Sequence, residues 1–311
     1  MSKEKLNGST VSRVDFDELF DRIKTWGRWP NSARGATNAI LPAVTVAACR
    51  LVSSGRVVPT ALAWNTVAGP DNTRPALHYM TDLGDREAPE PSCYMDFLGV
   101  DHHGKSVSHL DALSHIAFRG QLHNSRSARD SVGAGGASYW AVASVGRLVT
   151  RGVLLDVAAV RGVDWLEPGQ AVHAGDLQSV ERQLGVTVGP GDAVLLRNGH
   201  LARRAARGAW DPSNLSASLH VDAMPMLAER GISVFGADGD SDVRPSPVPG
   251  VHSPIHILAI AGLGIPLLNN LDLGALSQAC AQEGKYEFLL VVAPLNVADG
   301  TGSPVIPVAV L

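Results

Sequence analysis

The sequence predicts an α/β protein, because short apolar runs alternate with helical patterns along most of its 311 residues. Hydrophobic residues make up 45% of the chain and charged residues 18%, a balance that is typical of a protein with a compact core. No internal repeat, low-complexity linker or shift in composition divides the chain. We therefore expect a polar tail over residues 1–15 and a single domain over residues 16–311.

The predicted elements follow one another in an order that supports this fold class. Helices are predicted where apolar residues recur every three or four positions or where an aspartate and a glycine mark the two ends: residues 16–26, 176–184 with Asp176 as N-cap, 220–230 and 272–282. Strands are predicted for apolar runs that fit a buried sheet: residues 152–157, 193–197, 232–236 and 287–294.

Composition excludes several classes of function. The 26 basic and 30 acidic residues give a net charge of −4 without a long basic block, so nucleic acid is not an expected partner. The N-terminus is polar, and the longest apolar run, residues 288–293, is too short to span a bilayer. The sequence therefore predicts neither a signal peptide nor a membrane anchor. Cys49, Cys93 and Cys280 lie far apart, which favours reduced core thiols in a cytoplasmic protein over a catalytic cysteine.

A glycine-rich stretch over residues 133–137 resembles a dinucleotide-binding loop only superficially. Ser138 stands where that motif needs glycine or alanine, and no strand is predicted before the stretch. A flexible loop is the favoured interpretation.

The strongest chemical signal is a group of histidines and aspartates in residues 101–115. In an extended backbone His109 and Asp111 project from the same face, with Leu110 buried behind them. An imidazole and a carboxylate on one face can begin a Zn²⁺ or Mn²⁺ site, and His115 can reach the same pocket from the following turn. A core histidine bonded to a carboxylate without a metal is the alternative explanation of this spacing.

Residues 108–115, Ser-His-Leu-Asp-Ala-Leu-Ser-His, resemble the HxGTHxDxPxH signature of the cyclase family that includes bacterial kynurenine formamidase and isatin hydrolase. Further stretches similar to this family are spread over residues 20–311: 71–80, 151–156, 162–168, 191–197, 236–242, 254–256 and 293–304. The resemblance implies a β-barrel-like (swivelling β/β/α) core flanked by helices. It also implies a homodimer or homotetramer with a Mn or Zn cofactor.

The activity that the resemblance implies is hydrolysis of a carbon–nitrogen or carbon–oxygen bond in a small amide, formamide or lactone. By this resemblance, His109 and Asp111 are metal ligands, His115 is the acid/base and His256 matches a further ligand.

Two positions depart from the family pattern. Lys105 stands four residues before His109, where the family has its first metal-binding histidine, and a protonated ammonium cannot bind a metal. Asn269 falls at a position where the family has a glutamate, which reduces the charge available for a second ion. A binuclear centre is therefore not expected.

Three functions stay open at this point. The first is a hydrolase with a single ion, in which metal-activated water attacks the substrate while His115 moves protons. Its ligands would be His109, Asp111 and His256, with His102 or His103 in place of the missing histidine. The second is a metal-poor cyclase or dehydratase in which Lys105 stabilises an oxyanion or enolate and His115 acts as base. The third is a catalytically silent binding protein.

The remaining candidates surround the predicted centre. Residues similar to pocket residues of the family are expected to bind a small-molecule substrate: Trp64, Asn65, His78 and His220, although His220 also fits a helix start. Asp238 and Asn269 are expected to support the centre from outside. The other histidines are assigned to the surface or to packing: His123, His173, His200 and His252.

Overall fold

The computed structural model describes residues 10–30, 32–85 and 90–311, so most of the predicted polar tail lies outside the described residues. The α-helices are α1 (Arg13–Ile23), α2 (Pro42–Cys49), α3 (Ala128–Ser131), α4 (Val142–Val145), α5 (Val157–Val160), α6 (Ala174–Leu184), α7 (His200–Arg207), α8 (Met224–Arg230), α9 (Pro254–His256) and α10 (Gly274–Glu283). Short 3₁₀ helices cover Gly35–Ala39, His123–Ser125 and Val221–Ala223, and π-type turns continue α9 over Ile257–Leu263.

The strands are β1 (Val57–Pro59), β2 (Leu77–Asp82), β3 (Met95–Gly99), β4 (His109–Asp111), β5 (Gln121–Leu122), β6 (Arg126–Ser127), β7 (Val132–Gly133), β8 (Gly136–Ala137), β9 (Leu148–Asp156), β10 (Ala171–Val172), β11 (Ala193–Arg197), β12 (Ser218–Leu219), β13 (Val234–Ala237), β14 (Leu267–Asn269), β15 (Glu287–Val292), β16 (Gly302–Pro304) and β17 (Val308–Val310).

Nine of these strands form one curled, mixed sheet in the order β1-β17-β15-β9-β11-β13-β14-β4-β16. Strands β9, β11, β13 and β14 run parallel, and antiparallel strands extend the sheet on both sides. Parallel strands need crossover helices between them, which explains the alternation of elements in the sequence. The predicted α/β class and the barrel-like sheet flanked by helices are confirmed.

The central strands separate two hydrophobic cores. Neighbouring residues of a strand point to opposite faces, so Leu154 and Leu195 join one core while Leu155 and Leu196 join the other. All four side chains are fully buried. This burial on both faces fits the continuous apolar runs from which the strands were predicted.

The N-terminal helix begins earlier than predicted. Ser12 caps α1 by accepting a hydrogen bond from the backbone N–H of Asp15 at 3.1 Å, and the helix starts at Arg13 and ends at Ile23. Val11 is fully buried, so the chain already packs on the domain at this residue, within the stretch predicted as a polar tail.

The end of helix α6 follows the prediction but its start does not. Gly185 adopts the left-handed conformation that ends the helix, with φ of 66°. The helix begins at Ala174, because the Asp176 carboxylate accepts the backbone N–H of His173 at 2.8 Å from within the first turn. Asp176 is therefore not the N-cap residue.

Two further expectations need correction. Residues 133–137 lie in the tight hairpin of β7 and β8 and not in a flexible loop, with Gly136 at a φ of 104° that favours glycine. Cys280 is buried, and burial raises the pKa of its thiol to about 12, but Cys49 and Cys93 are exposed and are not core residues. Among the described helices, none has both the length and the apolar character needed to cross a bilayer.

Candidate metal centre

Strand β4 places His109 and Asp111 on one face of the sheet. It lies between β14 and β16, and Leu110 points to the opposite side into a hydrophobic core. His109 and Asp111 are both buried. The alternation of residues along a short strand therefore brings an imidazole and a carboxylate together, as the sequence predicts.

Four imidazoles surround the Asp111 carboxylate. Its Oδ1 atom lies 2.8 Å from Nδ1 of His103, 3.4 Å from Nε2 of His109 and 3.8 Å from Nε2 of His115. Its Oδ2 atom lies 3.6 Å from Nε2 of His256. Atoms bound about 2.1 Å from one tetrahedral ion are separated by about 3.4 Å, so the distances from Asp111 to His109 and His256 suit shared ligands better than hydrogen bonds.

The protonation of His109 and His115 suits metal binding. The Nδ1 atom of His109 lies 2.8 Å from the Val107 carbonyl and donates to it, which leaves the lone pair on Nε2 facing Asp111. Burial lowers the pKa of His109 below its ordinary value and lowers the pKa of His115 to about 4. Both rings are therefore neutral at neutral pH, as coordination requires.

Asp111 supplies the negative charge of the centre. Burial opposes its ionisation, but the surrounding imidazoles of His109 and His115 and the hydrogen bond with His103 hold its pKa below the usual range. Asn269 donates a hydrogen bond of 2.7 Å to Oδ2, which leaves Oδ1 facing the three histidines of the 103–115 segment.

Asn269 is itself held in one orientation. Its side-chain carbonyl accepts a hydrogen bond of 2.7 Å from Oγ of Ser241, which directs the amide N–H groups away from Ser241 and toward Asp111. An asparagine at this position therefore serves Asp111 as a hydrogen-bond donor.

His256 reaches the centre from the junction of α9 and the π-type turns. Its Nδ1 atom hydrogen-bonds to the buried carboxylate of Asp242, and Nε2 faces Asp111. Burial lowers the pKa of His256, but the bond to Asp242 and its charge raise the pKa above the ordinary value overall. A carboxylate bonded to the far nitrogen of a histidine is a common way to orient a metal ligand.

The residues present fit a divalent ion such as Zn²⁺ or Mn²⁺. Ligand atoms of His103, His109 and Asp111 all lie within 4.8 Å of one another. Nδ1 of His103 donates to Asp111 in this structure and would bind an ion only after losing that proton, while the far nitrogen lies 3.0 Å from Thr301 Oγ1, a contact that can fix the ring. Nε2 of the neighbouring His102 is buried without a hydrogen-bond partner.

Lys105 does not point into this cluster. Its ammonium donates a hydrogen bond of 2.5 Å to Asp240, a buried carboxylate that Arg244 also binds at 3.0 Å. Burial opposes the charge of Asp240, but Lys105, His256 and Arg244 lower its pKa. His102 and His103 were the two candidates to replace the family histidine that is missing at position 105. Of these, His103 contacts Asp111.

A cavity of about 520 Å³ adjoins the cluster at Lys105. Its lining includes Asn65, Lys105, His200, Asp238 and Asn270, but none of the four imidazoles around Asp111. The cluster has its own contact with solvent, since the side chains of His103 and His115 are 21% and 26% exposed. Asp240, which pairs with Lys105 at the cavity, lies 3.9 Å from Nδ1 of His256 and so connects the cavity with the cluster.

The other predicted site residues are more widely spread. Asn65 lines the cavity, whereas its neighbour Trp64 is 38% exposed and is not part of the lining. His78 lies on β2, where it is exposed and pairs with Asp96 at 2.9 Å. The structure does not bring His78 to the cluster.

His220 forms a second, separate group. It is buried, and its Nδ1 atom accepts the backbone N–H of Asp222 at 3.3 Å, the helix-start bond that the sequence allowed. The Asp222 carboxylate also lies 2.9 Å from Nδ1 of His173. These side chains form a hydrogen-bonded group at the start of α6, in which Nε2 of His220 is buried without a partner among the described residues, and they do not contact Asp111.

The sequence interpretation missed the position of His200. It was assigned to the surface or to packing, but its side chain lines the cavity and lies against Trp210, with 4.6 Å between ring centroids. Burial lowers its pKa to about 4. Its position after the strand β11 in a parallel sheet was the available signal, because strand ends of this kind carry site residues.

Asp238 fixes the start of α7 at the wall of the cavity. Its carboxylate accepts backbone N–H bonds from Asn198 at 2.9 Å, Gly199 at 2.7 Å and His200 at 3.1 Å. Burial raises its pKa to about 6, although these bonds act in the opposite direction. Asp238 thus supports the cavity and His200 and makes no contact with the cluster.

This pKa predicts a pH-dependent stability. An aspartate in the unfolded chain loses its proton near pH 3.8, whereas Asp238 in the folded protein keeps it up to about pH 6. Between these values the folded state binds more protons, so its contribution to the free energy of unfolding falls by about 3 kcal/mol as pH rises. Asp238→Asn cannot titrate. Chemical denaturation at pH 4 and pH 7, which span most of this change, should show the wild type losing about 2 kcal/mol relative to the variant, and parallel profiles would contradict the assignment.

A substitution of Lys105 separates a structural role from a role in metal binding. Lys105→Met removes one of the cations that face the buried Asp240 and leaves Arg244, His256 and the backbone N–H of Asp242, and we expect the free energy of unfolding to fall by about 2 kcal/mol. Metal content should not change, because the lysine contacts no atom of Asp111. Urea denaturation and elemental analysis measure the two effects, with Lys105→Arg as the control that keeps the charge. Loss of metal from Lys105→Met would show that the lysine supports the centre directly.

Solved structures share the fold of this protein over almost the whole length of both chains. The structure of a novel cyclase aligns with a TM-score of 0.81 and 26% identity, over 93% of this chain and 99% of that chain. An isatin hydrolase bound to the product analogue thioisatinate aligns with a TM-score of 0.57 and 18% identity, over 86% of this chain and 97% of that chain. Isatin hydrolase A from Ralstonia solanacearum aligns with a TM-score of 0.55 and 21% identity, over 87% of this chain and 96% of that chain.

The family follows from the sequence match. The family described as "Putative cyclase" matches residues 37–241, more than half of the chain, and the chain belongs to this cyclase family. The predicted family is thus confirmed, and the isatin hydrolases share its fold. A comparison with curated proteins finds no match.

Proposed function

We propose that this protein is a metal-dependent hydrolase that cleaves a carbon–nitrogen or carbon–oxygen bond in a small amide, formamide or lactone. The observation that carries the proposal is the convergence of four imidazoles on the buried Asp111 carboxylate. The shared fold with proteins named isatin hydrolase supports it, since isatin contains a cyclic amide.

The proposed ion is held by His103, His109 and Asp111, with His256 as a further ligand. A divalent ion supplies positive charge that polarises a carbonyl group and makes water more acidic. Hydrogen bonds to the ring nitrogens that face away from Asp111 hold these ligands in place. The Val107 carbonyl accepts from Nδ1 of His109, and the Asp242 carboxylate is bonded to Nδ1 of His256.

His115 is the residue proposed to move protons. Within the described part of the chain neither of its ring nitrogens forms a hydrogen bond, and its ring stacks on that of His103 at 3.8 Å. The lowered pKa keeps it unprotonated at neutral pH, so it can accept a proton from attacking water and donate it to the leaving nitrogen or oxygen. Its partial exposure lets a substrate approach it.

A second candidate function rests on the position of Lys105. Its ammonium lines the cavity, where it could stabilise an oxyanion or enolate, but a metal-poor cyclase or dehydratase also requires His115 as base, and His115 is not part of the lining. Asp240 already neutralises this lysine, which makes the hydrolase the better supported of the two.

Elemental analysis of protein purified without added metal tests the proposal. We expect about one Mn or Zn ion per chain, removed by chelation and restored by either metal. Hydrolysis should be measured on isatin, an N-formyl aromatic amine and a lactone, before and after chelation. Turnover that needs the ion supports the hydrolase. Protein without metal whose turnover is unaffected by chelation would favour the second function, and turnover on none of the substrates would favour a binding protein.

A further inference from the structure

Strands β10 and β12 form a small parallel sheet apart from the nine-stranded one, and each of them is followed by a histidine. Residues 172 and 219 are register partners, so His173 and His220 stand at equivalent positions just past the two strands. Neighbouring strands lie about 4.8 Å apart, which brings the two imidazole rings to 4.5 Å between their centroids. Together with Asp222 they form a group that we call the edge triad.

The Asp222 carboxylate contacts both rings of the edge triad. Its Oδ2 atom lies 2.9 Å from Nδ1 of His173, and its Oδ1 atom lies 3.3 Å from Nδ1 of His220. Ligand atoms of the three side chains all lie within 4.8 Å of one another, as they do for the ligands proposed around Asp111. The edge triad therefore offers the same types of ligand, at a similar spacing, as the candidate metal centre.

The charge of Asp222 is buried without a permanent cation. Its side chain is 5% exposed, and its ion-pair partners among the described residues are the two imidazoles, which carry a charge only when protonated. The backbone N–H of Ala174 adds a long hydrogen bond of 3.4 Å. Arg161 lies at the same edge but pairs with Asp176 at 2.9 Å. A buried carboxylate is unfavourable without a compensating charge, and a divalent ion in the edge triad would supply that charge.

Hydrogen bonds within the chain do not account for the whole of the His220 ring. The side chain is 1% exposed, and Nδ1 accepts the backbone N–H of Asp222 at 3.3 Å. Nε2 is buried and has no hydrogen-bond partner among the described residues. Such orphaned nitrogens are uncommon in folded proteins. A histidine that binds a metal through one nitrogen commonly hydrogen-bonds through the other, and His220 has one bonded and one free nitrogen.

We propose that the edge triad is a second metal site of this protein, selective for Zn²⁺. Two imidazoles and one carboxylate form a donor set that suits Zn²⁺, whereas Mg²⁺, Ca²⁺ and Mn²⁺ prefer oxygen ligands. The His173 side chain is 36% exposed, which gives the ion a path from solvent and leaves room for water as a further ligand. This open site should exchange its ion readily, so it fills when zinc is added and empties during purification without added metal. Because the edge triad does not contact Asp111, its ion would fasten the start of α6 to the 3₁₀ helix over residues 221–223 and take no part in catalysis.

Calorimetric titration with Zn²⁺ tests the edge triad in a chain whose centre is disabled. Metal-free Asp111→Asn should bind about one zinc ion per chain, and adding His173→Ala to it should lower the number bound by one. His78→Ala is the matched control in the same background, because exposed His78 also pairs with an aspartate, Asp96, at 2.9 Å but lies outside the triad. This control should bind as much zinc as Asp111→Asn alone. The proposal is wrong if Asp111→Asn binds no zinc, or if His173→Ala leaves the number of bound ions unchanged.

Wild-type protein provides a test without substitutions, should circular dichroism show that Asp111→Asn is unfolded. Diethyl pyrocarbonate modifies exposed imidazoles, and peptide mass spectrometry resolves the rate at each histidine. Zn²⁺ at ten times its dissociation constant should slow the modification of His173 about tenfold. The same addition should leave the rate at His78 unchanged, and Mg²⁺ should protect neither residue. Equal rates at His173 with and without Zn²⁺ would exclude the edge triad as a zinc site.

Discussion

Asp111→Asn is expected to leave the purified protein without its metal ion and to lower kcat/KM for the hydrolysed substrate by about 1,000-fold or more. Asp111 is the anion on which His103, His109, His115 and His256 converge, and an amide brings neither its charge nor its affinity for a divalent ion. Elemental analysis and steady-state kinetics measure the two losses. They should occur together, because both depend on the same carboxylate.

A surface variant controls for the loss of a carboxylate as such. Asp211 is exposed and bonds only to its sequence neighbours Ser213 and Asn214, so Asp211→Asn should keep both metal and turnover. Circular dichroism should show that both variants are folded. Metal retained at the wild-type level in Asp111→Asn would exclude the centre described above.

His115→Ala is expected to keep its metal and to lose kcat by a factor of about 100 to 10,000, with little change in KM. The side chain contacts the centre only by its 3.8 Å approach to Asp111 and by stacking on His103, while three other imidazoles remain close to the carboxylate. Its removal should therefore affect proton transfer more than the binding of the ion.

Added imidazole distinguishes this role from a structural one. A small base can occupy the space left by the ring, so it should restore part of the rate in His115→Ala but none in Asp111→Asn. If His115→Ala instead loses its metal, then His115 is a ligand, and the proton carrier must be sought among the residues of the neighbouring cavity.

The local part of the centre could be predicted from the sequence. His109 and Asp111 share a face because strand residues alternate, and His115 follows in the next turn. His256 was proposed through family resemblance, and its approach depends on α9 and the π-type turns, far along the chain. The contact of His103 with Asp111 depends on the turn before β4, which periodicity does not describe.

The secondary-structure elements also differ in how well the sequence predicted them. The central strands were predicted because their burial on both faces leaves a continuous apolar run. The start of α1 was missed although Ser12 and Asp15 have the spacing of a helix cap. Strands β2 and β3 were not predicted at all, since a ribbon exposed on both faces lacks the alternation of apolar and polar residues that marks a half-buried strand.

An ion at the proposed centre would cross-link parts of the chain that are distant in sequence, as the pairing of β4 with β14 already does. The strands join Leu110 to Leu268, and an ion bound by His109 and His256 would close the same long loop a second time. Closing a loop restricts the unfolded chain, and a ligand that binds only the folded state raises its melting temperature. The melting temperature of the protein should therefore report what fraction of the molecules carries the ion.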